Sequence, residues 1–301
     1  MATVRSAPKN IHRRPNISYQ DPGLNPQLRI AFIGGGNMAS AIIRGLIKHG
    51  HRSAHILVCA PSQRTRSRLV QDFNVRVHSD NSAAVAFADI IILAVKPFIV
   101  PLVCDELRPL LGQVNNGRSE QKLLISIAAG LTHASISDKL PQNVQLVCAM
   151  PNLPTAIGKG LTGLYVPGHL DRQAVDDAEQ LMRAVGDTVW LEDEQQMASI
   201  VATAGSSPAY FFLFLEAMEK AAIAQGLPAK TASKAVLQSA IGAVSMAMAS
   251  KEGLANLRHQ VTSPKGTTEQ AVLAFQHGDL DALVARAMDS AARRAKELAL
   301  G

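Results

Sequence analysis

Two clusters of residues in this sequence have the types and spacing to bind a charged small molecule. The first is Gly34-Gly35-Gly36-Asn37-Met38-Ala39, which contains Gly34-x-Gly36-x-x-Ala39 between an apolar run and a helical period. Gly34 permits a tight turn, Gly36 lets the backbone approach a pyrophosphate, and Ala39 lets a helix lie close to the preceding strand. Asn37 and Met38 stand at the start of that helix, whose unpaired N–H groups favour an anion. A lone glycine motif is weak evidence, and its place between strand and helix is what points to a dinucleotide. The next predicted strand runs into Ala60-Pro61-Ser62-Gln63-Arg64-Thr65-Arg66, with no acid before Asp72. An NAD site ends that strand with a carboxylate for the ribose 2′-hydroxyl. A hydroxyl and two guanidiniums suit a 2′-phosphate instead, so Ser62, Arg64 and Arg66 favour NADPH, with NADH the weaker substitute. Either arginine alone is equally a solvated helix face.

Ala94-Val95-Lys96-Pro97, Ser126-Ile127-Ala128-Ala129-Gly130 and Met150-Pro151-Asn152 follow three more apolar runs. They fall at the carboxyl edge of a sheet, where ligands bind in such folds. Lys96 is placed to reach the cofactor, and the small residues around Ala128 leave room for a nicotinamide ring. The second cluster is Ser263-Pro264-Lys265-Gly266-Thr267-Thr268. Glycine, a helix start and adjacent hydroxyls make an anion cup. By itself the segment is equally a capped helix with Thr267 as the cap.

These clusters need a frame. Residues 28–33, 55–59, 90–95, 123–127 and 144–150 are apolar throughout rather than alternating, which predicts parallel strands covered on both faces. Helices lie between most of them, beginning at 38–49, so the first half is predicted as a Rossmann-like, doubly wound α/β domain. Residues 161–166 and 188–191 add two edge strands. After Asp193 the strand signals stop. Ser207 as N-cap and Pro208 open a long helix to about 225, and helices at 228–249, 254–261, 267–277 and 280–300 complete an all-α half. The stretch 235–249 is small and apolar nearly all round, so it needs neighbours on every side, and a second subunit is expected there. The predicted division is a flexible extension over 1–27, an NADP-binding domain over 28–192, and a helical dimerisation and substrate domain over 193–301.

With 301 residues, 47% of them hydrophobic and 4% aromatic, the chain suits two modest cores. The net charge of +6 comes without any dense run of Lys and Arg, so ordinary surface charge is the expectation and nucleic acid is not a partner. Cys59, Cys104 and Cys148 are far apart within apolar runs, which predicts buried, reduced thiols, no metal site and a cytoplasmic protein. No uninterrupted apolar stretch reaches the ~18 residues that span a bilayer, so no membrane partner is expected. Residues 1–27 carry Arg5, Lys9, Arg13 and Arg14 and no acid before Asp21, a bias shared with organelle-targeting segments, but they lack an amphipathic period.

Phe32-Ile33-Gly34-Gly35-Gly36-Asn37-Met38-Ala39, the 94–97, 128–130 and 150–152 segments, and Gly205-Ser206-Ser207-Pro208-Ala209-Tyr210 come in an order and spacing that resembles the pyrroline-5-carboxylate reductase family. Residues 263–268 resemble that family's signature near its C-terminus. The resemblance implies a Rossmann domain, an interlocked helical dimerisation domain and larger assemblies in many members. It implies cofactor contacts at Ser62, Asn81 and Lys96 besides the glycine loop of Gly34, Gly36, Asn37 and Met38, to which the residue pattern adds Arg64, Ala94, Pro97 and Ala128. Contacts to a substrate carboxylate fall on Ser263, Gly266, Thr267 and Thr268, with Thr268 the hydroxyl nearest the imine nitrogen. The chain departs from the family at Lys265, where glycine is usual; a positive φ would strain lysine there. Two rivals remain on sequence. A β-hydroxyacid dehydrogenase would carry a catalytic lysine in the first long helix of its second domain, and residues 206–218 contain none. A non-catalytic NADP-binding sensor shares the fold.

Overall fold

The computed structural model describes residues 24–112, 122–168 and 170–300. Strands β1 (Ile30–Ile33), β2 (Ile56–Cys59), β3 (Arg76–His78), β4 (Ile90–Leu93), β5 (Leu123–Ser126), β6 (Gln145–Met150), β7 (Gly160–Tyr165) and β8 (Gly186–Trp190) form one eight-stranded sheet. Their order is β3-β2-β1-β4-β5-β6-β7-β8. Between them run α1 (Asn37–Lys48), α2 (Gln63–Phe73), α3 (Ser82–Phe87), α4 (Val100–Leu111), α5 (His133–Ser137) and α6 (Arg172–Arg183). The chain reverses direction across the sheet beside β1, between β2 and β4, which is the switch point of a doubly wound fold.

Successive strand residues face opposite sides of a sheet. Ile30, Phe32, Val58, Ile92 and Ile125 pack with α1 and α6 through Ile42, Leu46 and Leu181. Ala31, Ile33, Ile91, Leu93 and Leu124 pack with α4 through Val103, Cys104 and Leu107. Both faces are thus apolar, which is why the strands read as unbroken hydrophobic runs. All three cysteines are free and lie in this second layer. Burial pushes the Cys59 and Cys104 thiols up to about 11 and Cys148 up to about 12. All three stay protonated at neutral pH and offer no thiolate chemistry.

The sheet corrects two expectations. β7 is not an edge strand: it pairs antiparallel with β6 (Ala149↔Leu164) and parallel with β8, so the sheet is mixed and only β8 of the two is an edge. β3, at the other edge, has no counterpart in the sequence pattern, because Arg76-Val77-His78 is short and largely exposed. Residues 1–23 of the predicted extension lie outside the described residues. Leu24 and Leu28 pack against the core.

The second half holds α7 (Gln196–Ile200), α8 (Ser207–Ala224), α9 (Ala229–Ala249), α10 (Leu254–Gln260), α11 (Thr267–His277) and α12 (Leu280–Leu300). The long helix opens at Ser207-Pro208 as expected, but its N-cap is Ser206 rather than Ser207, and it makes no side-chain cap bond. The chain is already helical from Gln196, and Val201–Gly205 is wound as a π-turn that leads directly into α8. The continuous helix Gln196–Ala224, with a mean hydropathy of 1.4 over its most apolar window, is long and apolar enough to cross a bilayer, contrary to the sequence reading. Its apolar character has a different outlet. Phe211, Phe212 and Leu213 on α8 are 62–69% exposed, and Met248 on α9 is 82% exposed. A single chain leaves this half largely uncovered, as the apolar stretch 235–249 predicts.

Candidate active site

The strands β1, β2, β4 and β5 are in register, with Ile33 beside Cys59 and Leu93, and Leu93 beside Ser126. Their carboxyl ends therefore line up, and the loops carrying Gly34, Ser62, Lys96 and Ala128 leave one edge. Gly34 continues the β1–β2 ladder, donating its N–H to Cys59 O at 2.9 Å, and then turns with φ +102. A Cβ there would meet Ala94 O at 2.5 Å, so glycine is required both by the turn and by the neighbouring loop. Gly36 is the N-cap of α1, extended, with no side-chain cap, and a Cβ on it would meet open space. Exposed Asn37 and half-buried Met38 follow in the first turn. The free N–H groups of α1 thus face an unobstructed cradle of the kind a pyrophosphate requires.

At the end of β2, Ser62 caps α2: its Oγ accepts from Thr65 N–H at 3.4 Å. The two arginines, alike in sequence, separate in space. Arg66 donates to the carbonyls of Ala60 and Pro61 at 2.6 and 2.7 Å and to Gln63 Oε1 at 2.6 Å, so it braces its own loop. Arg64 is exposed beside Ser62 and has no such bond among the described residues. A residue that pattern reading missed is Arg68, which donates to Gly35 O at 2.8 Å and fastens α2 to the glycine turn. On an amphipathic helix with two other arginines it resembles a solvated charge.

Further along the edge, Ala94 N–H bonds Ile33 O at 2.8 Å and Ile127 N–H bonds Leu93 O at 3.1 Å, so these loops extend the sheet before leaving it. Lys96 is exposed at the start of the turn Pro97–Ile99, with Nζ 5.9 Å from the Phe98 ring centre. Asn81 stands before α3 and donates to Glu106 Oε2 at 2.9 Å. Ala128 is half-buried. Two residues on, Gly130 (φ +76) lies under α12, where a Cβ would meet Leu298 Cβ at 2.9 Å. Asn152 does not open onto the edge with the others; it is buried and bonded to the helical half.

The second cluster stands on the α10–α11 connection and is held by local hydrogen bonds. Gly266 N–H donates to Ser263 O at 3.0 Å, and Lys265 N–H to Glu269 Oε2 at 2.8 Å. Gly266, not Thr267, is the N-cap of α11, with no side-chain cap bond. Thr267 and Thr268 occupy the first two helical positions, both exposed, and no side-chain hydroxyl caps the helix. A Cβ on Gly266 would meet Ser263 O at 2.9 Å. Lys265 has φ 59, the left-handed conformation in which lysine is strained.

Both halves match known families. Residues 194–298 match the family model described as pyrroline-5-carboxylate reductase dimerisation, and residues 29–130 match NADP oxidoreductase, coenzyme F420-dependent. The pyrroline-5-carboxylate reductase of Vibrio alginolyticus is 42% identical over 271 residues, covering 90% of this chain and 97% of its own. That of Pseudomonas aeruginosa shows the same identity and coverage. The solved pyrroline-5-carboxylate reductase of Coxiella burnetii superposes with a TM-score of 0.82 at 39% identity, over 90% of this chain and 98% of that one. The Plasmodium falciparum pyrroline carboxylate reductase, solved with NADP bound, gives 0.80 at 25% identity over 91% and 99%. A glycine cradle on a sheet edge, a helical half that one chain cannot cover, and relatives alike over nine-tenths of the chain lead to one assignment: the chain belongs to the pyrroline-5-carboxylate reductase family.

Proposed function

We propose that this protein reduces 1-pyrroline-5-carboxylate to proline. NADPH supplies the hydride when bound; one proton completes the C=N to CH–NH reduction. The observation that carries this reading is the 42% identity to a pyrroline-5-carboxylate reductase over 90% of the chain, joined to a glycine turn that leaves the start of α1 open. In this reading the backbone at Gly34, Gly36, Asn37 and Met38 holds the pyrophosphate, and Ser62 and Arg64 hold a 2′-phosphate. Asn81, Ala94, Lys96, Pro97 and Ala128 line the remainder of the cofactor edge. Ser263, Gly266 and Thr267 take the substrate carboxylate, and the Thr268 hydroxyl lies at the imine nitrogen, where it orients the ring or passes it a proton. NADH serves as a weaker substitute. Three free, buried thiols fit a reducing cytoplasm.

Turnover of pyrroline-5-carboxylate separates a reductase from an NADP-binding sensor at once. Thr268→Ala tests the site. A hydrogen bond acting in the transition state contributes about 2.7–4 kcal/mol, so its loss should lower kcat roughly 10²–10³-fold. The melting temperature should hold, since Thr268 is not the cap of α11. Near-normal kinetics would remove Thr268 from the chemistry.

A further inference from the structure

The helix that carries the chain from the sheet into the helical half has a gap in its hydrogen bonding, and a residue from the sheet fills it. In the π-turn Val201–Gly205, Ser206 N–H reaches back five residues to Val201 O at 2.8 Å. Two residues later comes Pro208. In an unbroken α-helix residue 208 would donate its N–H to the carbonyl of Ala204; here proline has none, its ring crowds that carbonyl, and α8 starts a new ladder at Ser207. Ala204 is buried, at 5% exposed, so water is a poor substitute. Asn152, itself 8% exposed, supplies the donor: its Nδ2 donates to Ala204 O at 2.9 Å. Its Oδ1 accepts the Leu161 N–H at 2.9 Å, at the start of β7. Only this orientation of the amide satisfies both partners, because the reverse would set donor against donor at Leu161 and oxygen against oxygen at Ala204.

The surrounding packing leaves this joint little slack. A Cβ on Gly163 would lie 2.9 Å from Ile200 Cγ2, and one on Gly205 would lie 3.1 Å from Met150 Cε. The helix therefore sits tightly on β6 and β7 at the point where Asn152 grips it. Asn152 itself follows β6 by two residues, in the loop after a strand that runs parallel to β5. One side chain thus ties the sheet that carries the cofactor edge to the helix that leads to the substrate cluster.

We infer that Asn152 is a positioning residue. Its amide replaces the N–H that Pro208 lacks and so fixes the angle at which the helical half leaves the sheet, and with it the approach of the imine carbon to the nicotinamide edge. This rests on the reductase reading above. The pair Asn152 and Pro208 should behave as one device: without the proline, the helix satisfies Ala204 by itself and the asparagine is dispensable.

The test is a double-mutant cycle in the full chain with Asn152→Ala, Pro208→Ala and both together. A misplacement of about 1 Å in a reacting pair costs roughly 10²-fold, so Asn152→Ala should lower kcat by about 10–100-fold. It should also raise the isotope effect on kcat with NADPH deuterated at the transferred position, while NADPH affinity stays within about threefold. Amide exchange at Leu161 should speed up. In the Pro208→Ala background the same substitution should cost kcat no more than about threefold, a non-additivity that marks coupled residues. Equal losses in both backgrounds would overturn the inference. So would a lower melting temperature with kcat, KM and isotope effect unchanged, which would make Asn152 a packing residue. If Asn152→Ala fails to fold, recovery of folding by adding Pro208→Ala supports the clamp, and failure to recover overturns it. Absence of turnover in the unaltered protein would sink the reductase reading alone, because folding and Leu161 exchange report the clamp without catalysis.

Discussion

Arg64 and Arg66 stand two positions apart in α2, which turns their side chains about 200° from each other around the helix. Only one can face a ligand, and because Arg66 is engaged with Ala60, Pro61 and Gln63, the proposed 2′-phosphate contact falls to Arg64. A charge-assisted hydrogen bond contributes about 1.5–3 kcal/mol, so Arg64→Ala should raise the NADPH KM roughly 10–100-fold and leave the NADH KM nearly unchanged. Arg66→Ala should instead loosen the loop, weakening both cofactors together and lowering the melting temperature. Equal use of NADH by the unaltered protein would defeat the assignment of this loop to a 2′-phosphate. Lys265 offers a second test at this scale. Its left-handed conformation (φ 59) costs on the order of 1–3 kcal/mol, partly offset by the roughly 0.5–1 kcal/mol that glycine loses in backbone freedom on folding. Lys265→Gly should therefore stabilise the protein by up to about 2.5 kcal/mol, read from denaturant unfolding; a destabilised variant would mean that the lysine side chain makes a compensating contact. Residue types were legible where chemistry dictates them, as at Gly34 or in the missing acid after β2. Roles such as those of Arg66 and Asn152 were not, because they depend on which backbone carbonyls the fold leaves without a partner.

Elements were most legible where a strand is covered on both faces. The runs at 30–33, 56–59 and 90–93 are apolar throughout because α1 and α6 cover one side and α4 the other. β3 is silent for the opposite reason: an edge strand of three exposed or half-exposed residues has no pattern to detect. The π-turn is hidden because Ser207-Pro208 has the composition of a helix start, while the conformation is set by the sheet beneath it. The connection from α1 to β2 carries a pH-dependent element of its own. His51 is 6% exposed, and burial, aided by the neighbouring charge of His55, holds its imidazole below its ordinary pKa of 6.5. Below pH 6.5 the unfolded chain takes up a proton that the folded chain resists, so the unfolded state binds more protons and stability rises with pH. The contribution is complete above pH 6.5 and is lost as pH falls toward the lowered folded pKa. His133, whose pKa burial also lowers, acts with the same sign. His51→Gln should therefore flatten part of the loss of stability as pH falls from 6.5 to about 5, measured against the parent protein. Parallel curves for the two proteins would show that His51 takes up its proton freely in the fold.

The whole molecule divides its apolar surface unevenly, and that asymmetry has a consequence for assembly. The sheet half buries its hydrophobic residues in two continuous layers. In the helical half, Leu237, Ile241, Val244 and Met248 of α9 are 50%, 61%, 54% and 82% exposed. Their spacing of four, three and four residues places them along one face of the helix, the pattern of a seam that meets another helix. On α8, Phe211, Phe212, Leu213 and Phe214 are consecutive, so they point all round the helix and a neighbour on one side alone cannot cover them. Burying one large apolar side chain contributes about 1.5–3 kcal/mol, so covering even the four residues of the α9 seam supplies several kcal/mol toward association. Micromolar affinity corresponds to about 8 kcal/mol after the entropy of association is met, and the wider α8 surface adds to the seam. Sedimentation at micromolar concentration should therefore show at least a dimer, matching the dimerisation family to which residues 194–298 belong. Because the folded state is then linked to assembly, the melting temperature should rise with protein concentration. Ile241→Glu would place an unpaired carboxylate in the middle of the seam, where burial disfavours the charge. That variant should shift toward monomer and melt at a lower temperature, with turnover falling in step with the dimer fraction, whereas Arg172→Ala, on the exposed surface of the sheet half, should change none of the three. A folded, active monomer at micromolar concentration would mean that the helical half covers its own apolar faces and that this account of its exposed surface is wrong.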